Sequence, residues 1–402
     1  MHWIWLLVLC WQKKRGLNMD DDEDWIALSD PDISMAELDA VTNVLKSARI
    51  SAGEVVDAFE NDFAEYLGRR YAVAVSSATQ GLVLALRALG IRPGDEIITS
   101  AYAWYQIAHA ITLVGAVPVL VDIDYWSGAL LADKAAAKIT PDTRAILAGN
   151  PNGHPADWDA LRALAGRHGL ALLEDSTEAI GSRYQGKLVG TFGDVSVFDF
   201  SQPAALVCGE GGMVVTDDPV LASELRYFRG RIMDERFSIS IASRVPHQAM
   251  MSDMSAALGL AQLERLDEIL ARRKRVESWY LAYIQSFEGI KPAYIAPEVD
   301  EIHWMTFLVH LGTRFTRSAR NQIVDDLLTA HIEAPAYCNP LHLQYFYGNL
   351  GYRKGDLPVT EKVADRALAL PFHGHLDEDT VAFIVQTAKD SSVNVGAGAA
   401  IY

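Results

Sequence analysis

Residues 71–90, YAVAVSSATQGLVLALRALG, decide the fold. The first seven form a short apolar run rich in β-branched and small residues, which reads as a buried strand. TQGLVLALRALG then repeats its apolar residues at helical spacing and stops on a glycine, which reads as a helix. The pairing recurs downstream. DEIITSAY (95–102) is a strand, followed by the helix IAHAITLVGA (107–116). VPVLVDID (117–124), RAILAGN (144–150) and LALLED (170–175) are further buried strands, with the helix DWDALRALAGRHG (157–169) between the last two. Such β-helix-β alternation predicts an α/β fold, a mainly parallel sheet wrapped by helices, with ligands at the carboxyl ends of the strands. DVSVFDF (194–200) and GGMVVTDD (211–218) are expected strands enclosing a glycine-rich loop.

Beyond residue 250 the pattern changes. Residues 251–287 read as one long helical tract linking a large domain to a small one. HWMTFLVHLG (303–312), a helix around RNQIVDDLLTAH (320–331) and an amphipathic helix at DEDTVAFIVQTAK (377–389) follow. The expected organisation is an arm and large domain over 19–265, a linking helix and small α+β domain over 266–390, and a flexible tail over 391–402. The apolar run HWIWLLVLCW (2–11) is too short to span a bilayer and its basic cluster follows rather than precedes it. It reads as a misassigned start with Met19 as the true one. A membrane-surface anchor is the alternative.

With 402 residues, 50% of them apolar, the chain is ample for a large core and a second domain. A formal net charge of −17 argues against a nucleic-acid partner. Cys10, Cys208 and Cys338 are scattered without metal-ligand spacing, as expected of reduced thiols in a cytoplasmic protein. No metal site is expected.

Several passages then line up in order: residues 28–51, 63–104, 142–194, GEGGMVVTDD (209–218), 257–274, and the segment 339–373 opening NPLHLQ. Together they resemble the DegT-type sugar aminotransferases, a fold type I pyridoxal-phosphate family, from Trp25 to about Lys389. The resemblance implies a dimer with the cofactor site at the subunit interface. It also implies amino transfer from glutamate or glutamine to keto sugars carried on nucleotides, or to cyclitols.

The resemblance assigns site residues. Asp175, ending LLED, takes the place of the partner to the pyridinium nitrogen, where a bare carboxylate would otherwise read as a loop cap. Trp104 takes the ring-stacking place, its alternative being a core tryptophan. Ser76-Ser77-Ala78-Thr79 stands where the family has Ser-Ser-Gly-Thr around the phosphate. Ala78 is expected to hinder close backbone approach and any left-handed geometry, while Thr79 still opens a helix. Asp199 stands where a serine hydroxyl commonly meets the phosphate. Gln248 stands where the partner subunit normally contributes asparagine, in Gln248-Ala249-Met250-Met251 against Asn-x-Arg-Met. Glu178 replaces the glutamine or histidine near the ring hydroxyl. Ala204 falls on the Schiff-base lysine, and no lysine lies between Lys187 and Lys274. Lys187 sits in YQGKLVG, expected to be a solvent-facing hairpin, and His154 and His247 are not at the lysine position.

Pyridoxal phosphate is therefore the implied cofactor, while these departures argue against its retention. Three functions stay open. One is a non-catalysing member that binds a nucleotide-sugar ligand, as a homodimer or as a heterodimer with a lysine-bearing paralogue. Another is an acid–base enzyme on a sugar, using Glu178, Asp199 and Asp175 with their pKa values raised by mutual repulsion, joined by His342 unless that histidine is structural. The third is an ordinary aminotransferase whose lysine is misplaced or was mutated to Ala204. Cys208 reads as packing.

Overall fold

The computed structural model describes residues 25–51, 53–230, 245–284 and 289–399. The apolar run at the start of the chain lies outside them. Two helices open the fold, α1 (Met35–Lys46) and α2 (Glu54–Leu67). Ser34 and Glu37 cap α1 reciprocally. Then come β1 (Tyr71–Val75), α3 (Ala78–Ala88), β2 (Glu96–Ser100), α4 (Tyr105–Leu113), β3 (Val117–Val121), α5 (Ala132–Ala136), β4 (Thr143–Gly149), α6 (Trp158–His168) and β5 (Ala171–Asp175). The short hairpin β6 (Arg183–Tyr184) and β7 (Lys187–Leu188) precedes β8 (Val195–Asp199), β9 (Gly212–Thr216) and α7 (Pro219–Arg229).

Seven strands form one sheet in the order β1-β9-β8-β5-β4-β2-β3. Four neighbouring pairs, from β8 to β3, are parallel, and only β9 runs against its neighbours. The expected mainly parallel sheet is what folds. Its strands are near-continuous apolar runs because helices cover both faces. Val73, Ile97, Leu147, Leu173 and Val197 bury one face against α3 and α4.

Residues 251–287 are not one helix. Within them α8 (Asp253–Glu264) ends at Arg265, whose φ of −102° and ψ of 5° leave the helical region, and α9 (Leu266–Ile284) begins anew. Arg265 earns its bend by reaching Asp32 at 2.9 Å and Glu37 at 2.5 Å. Beyond lie β10 (Ile290–Pro292), β11 (Val299–Glu301), β12 (Phe307–Leu311), α10 (Arg317–Thr329), α11 (Pro358–Ala364), β13 (Ala367–Leu370) and α12 (Glu378–Ala399). β10, β12 and β13 make a separate antiparallel sheet, while β11 pairs with β6 of the hairpin. Within α9, Arg273 is buried and donates to the carbonyls of Phe372, Trp304 and Met305 at 2.8–2.9 Å, tying the helix to this second sheet.

The expected flexible tail over 391–402 is corrected for 391–399. These residues continue α12, with Ser392 fully buried and its hydroxyl donating to the Lys389 carbonyl. Terminal residues commonly fray, yet α12 packs on α9 and α10. Lys187 is exposed on the hairpin, as expected.

Candidate functional site

The carboxyl ends of β1, β2, β5 and β8 gather the site. Parallel pairing brings these ends to one edge of the sheet, so Ser76–Thr79, Trp104, Asp175 and Asp199 come together from 124 residues of sequence.

Asp175 closes β5. Its buried carboxylate accepts from the Thr177 hydroxyl at 2.5 Å and the Thr177 N–H at 3.0 Å. Burial pushes its carboxyl up to about 6 against those hydrogen bonds, with Asp199 and Glu174 adding to the rise. Glu178, one turn on, is also buried and accepts from the Asn152 N–H and the Tyr337 hydroxyl. Burial raises its carboxyl to about 8, again against its hydrogen bonds, and the Asp175 charge adds to the rise. Mutual repulsion was expected to dominate these shifts. Burial comes first because both side chains are enclosed, Glu178 held by Tyr337 and the Asn152 N–H and Asp175 folded back on Thr177. Near neutral pH the pair divides into an ionised Asp175 and a protonated Glu178.

Asp175, Glu178, Trp104, Tyr337, Gly149 and Asn150 line one cavity of about 20 Å³, room for a single water. Trp104 is the N-cap residue of α4, half-buried, and its ring meets Tyr337 edge-on at 6.3 Å.

Neither Tyr337 nor Asn152 was singled out from the sequence. Asn152 adopts φ +50°, and its side chain accepts from the Thr306 N–H and hydroxyl at 2.9 Å while donating to the Thr306 carbonyl. Next to it, Gly153 has φ +99°, and a Cβ there would lie 2.3 Å from the His303 carbonyl oxygen. The turn NPNG therefore ties the end of β4 to the segment before β12. Only the turn chemistry of Asn-Pro-Asn-Gly hinted at it.

Ala78 begins α3 in helical geometry with its methyl in the core. The expected penalty for losing a left-handed glycine therefore does not arise. Ser77 caps the helix by accepting from the Gln80 N–H at 3.3 Å, and Thr79 is half-buried in the first turn. Asp199 accepts from the Ala78 N–H at 3.2 Å and from the Ser201 N–H and hydroxyl at 2.7 and 2.5 Å.

The remaining residues are apart from the cavity. Ala204 lies half-buried in the loop between β8 and β9, which Phe200 closes by donating to Gly211 and accepting from Cys208. Cys208 is buried, and burial together with Asp199 and Glu210 holds its thiol far above the usual range, as packing requires. Gln248 is exposed, on a segment whose neighbour Ala249 accepts from the Ser76 N–H at 2.9 Å. His342 is buried, pairs with Glu361 at 3.1 Å and lines a different cavity, of about 680 Å³, beside Tyr352. It does not join the carboxyl pair. His154 is fixed by the Pro155 carbonyl at 2.7 Å and the Ala296 N–H at 3.2 Å. Among the described residues no group of three or more His, Cys, Asp or Glu could hold a metal, and no helix is long and apolar enough to cross a membrane.

Known proteins share this arrangement of chain and sheet. Residues 31–389 match the DegT/DnrJ/EryC1/StrS aminotransferase family. The chain is 36% identical over 364 residues to the GDP-perosamine synthase of Caulobacter vibrioides, covering 90% of this chain and 96% of that protein. It is 32% identical over 371 residues to the spore coat polysaccharide biosynthesis protein SpsC of Bacillus subtilis, covering 90% and 95%. Among solved structures, a putative sugar aminotransferase of Streptococcus pneumoniae, Spr1654 in its PMP-form, superposes with a TM-score of 0.88 at 27% identity, covering 93% of this chain and 99% of that one. DesV of S. venezuelae in complex with a ketimine intermediate gives 0.82 at 33% identity, covering 89% and 94%. The sheet order, the helices on both faces and the length of these matches agree: the chain belongs to the DegT/DnrJ/EryC1/StrS aminotransferase family, which is pyridoxal-phosphate-dependent and of fold type I.

Proposed function

We propose that this protein serves nucleotide-sugar chemistry, in cell-surface polysaccharide or secondary-metabolite biosynthesis, as a family member that does not carry out Schiff-base transamination. The names of the two curated relatives support the setting. The observation that carries the rest is the β8–β9 loop, which holds Ala204 and no amine. The flanking lysines offer no substitute. Lys187 is exposed on the hairpin, and Lys274 pairs with Glu277 at 2.8 Å.

The residues fit pyridoxal phosphate only in part. Asp175 and Trp104 suit a cationic ring, as a buried acceptor and an aromatic face. A methyl at Ala204 offers no nucleophile, base or acid. Asp199 sets a carboxylate on the helix start where a phosphate oxygen would sit. The protein would act in the cytoplasm as a homodimer, or as the helper half of a heterodimer with a lysine-bearing paralogue. Exposed Gln248 beside the cofactor-side turn is consistent with a residue lent across that interface. The test is amino transfer by the purified protein with added pyridoxal phosphate, glutamate and a nucleotide-linked keto sugar. No 2-oxoglutarate is expected, whereas steady turnover would restore the ordinary aminotransferase.

One observation favours a second reading. Glu178 and Asp175 face one cavity with their protonation states divided, as in an acid–base pair. On this reading Glu178 is the proton donor, oriented by Tyr337 and the Asn152 N–H, with Asp199 and His342 outside the pair. Binding of a nucleotide sugar unchanged by Glu178→Gln would speak against it.

A further inference from the structure

Two N–H groups at the start of α3, those of Ala78 and Gln80, are answered from within the chain. Asp199 Oδ2 accepts from Ala78, and Ser77 Oγ accepts from Gln80. Asp199 Oδ1 is held in turn by both the N–H and the hydroxyl of Ser201, so the carboxylate is fixed by three donors on two segments. Strand pairing sets Asp199 opposite Gly212. A Cβ on Gly212 would lie 2.8 Å from the Ala78 nitrogen, so β9 presses against the helix start and leaves Asp199 beside it. A helix N-terminus concentrates partial positive charge and attracts an anion. Here the anion is a side chain of the same molecule.

We propose that Asp199 fills the anion position at the start of α3 and thereby acts as a specificity determinant, excluding ligands that would place a phosphate there. This rests on the reading above that the pocket has departed from cofactor-dependent transamination. Two consequences distinguish it from simple loss of a lysine. First, the Ala78 and Gln80 N–H groups have their acceptors without a ligand, and a carboxylate already faces the positive end of the helix. Second, a phosphate entering the position meets a like charge that cannot withdraw without forfeiting the Ser201 bonds. At about 4 Å, repulsion of this kind is strong enough to weaken binding at least tenfold, even where the surroundings are well polarised.

The test uses the full-length protein and two variants. Asp199→Ser places a small neutral hydroxyl at the position. Asp199→Asn keeps the size of the side chain and removes its charge, which covers the case in which the serine variant folds poorly. Thermal unfolding is followed during titration with inorganic phosphate and with pyridoxamine 5′-phosphate. The wild-type Tm is expected to stay flat, while the variants gain stability and bind at least about tenfold more tightly. A wild-type protein stabilised as strongly as the variants would overturn the proposal. So would two folded variants that respond to neither probe, since the position would then not be an anion site. Failure here separates from failure of the proposed function. Wild type that binds the phosphorylated probe without forming a Schiff base with pyridoxal phosphate refutes the role of Asp199 alone.

Discussion

Glu178→Gln should remove a large loss of folding stability that wild type suffers between mild acid and mild base. Glu178 is 8% exposed, and its carboxyl rises from 4.5 to about 8 on folding, chiefly through burial. A raised folded pKa means that the native state holds the proton more tightly than the unfolded chain. The stabilisation is therefore fully present below about 4.5 and is lost as pH climbs through about 8. At about 1.4 kcal/mol per pH unit the difference amounts to at most ~5 kcal/mol, and relaxation around the charge brings an expected ~2–4 kcal/mol. Glutamine keeps an oxygen to accept from Tyr337 and from the Asn152 N–H, and never ionises. Urea unfolding across this range should show Glu178→Gln gaining on wild type as pH rises, while His310 and His373, each held down to about 4 by burial, make the same upward contribution to both proteins. The variant should be near wild type in mild acid and more stable by ~2–4 kcal/mol in mild base. Asp175, raised from 3.8 to about 6 in the same direction, adds to both proteins a smaller total loss over that lower range. Tyr337→Phe removes a hydrogen bond that holds the Glu178 carboxyl down, so it should move the wild-type transition to higher pH. Parallel stability curves for wild type and Glu178→Gln would refute the buried-acid argument.

Other substitutions test the frame and the pocket. Gly153→Ala should cost ~3 kcal/mol or more in denaturant unfolding, since a Cβ at 2.3 Å from the His303 carbonyl must displace backbone in a left-handed turn. Arg273→Met should cost ~2–4 kcal/mol by the same measurement, because three buried carbonyls lose their donor. The double variant Asp199→Ser with Ala204→Lys should gain a borohydride-reducible pyridoxyl adduct at residue 204, located by peptide mass. Ala204→Lys alone should gain markedly less, because the phosphate position remains taken.

The large sheet was legible because buried parallel strands are written locally, as short apolar runs between helices with 3.6-residue spacing. Asp175 and Asp199 each end such a run, but their places in a site came from the family resemblance, since a bare carboxylate there reads as a loop cap. What escaped was decided by contacts distant in sequence. Asn152 meets Thr306 from 154 residues away, and Tyr337 reaches Glu178 from 159. The break at Arg265 follows from Asp32 and Glu37, more than 200 positions upstream, while the local pattern runs on as a helix. The tail was expected to fray as terminal residues commonly do, and packing of α12 against α9 and α10 outweighed that tendency through residue 399. For Ala78 the residue was read correctly, but its expected geometry was borrowed from a glycine. In this chain the position is simply the first residue of a helix.

The central claim is that the β8–β9 loop has lost its covalent chemistry. The most direct measurement is to saturate the wild-type protein with pyridoxal phosphate, treat it with borohydride, and weigh the intact chain and its peptides. No pyridoxyl adduct in the site and no visible-range Schiff-base absorbance before reduction are expected. A stoichiometric adduct on a single lysine, with that absorbance abolished by borohydride, would contradict the claim.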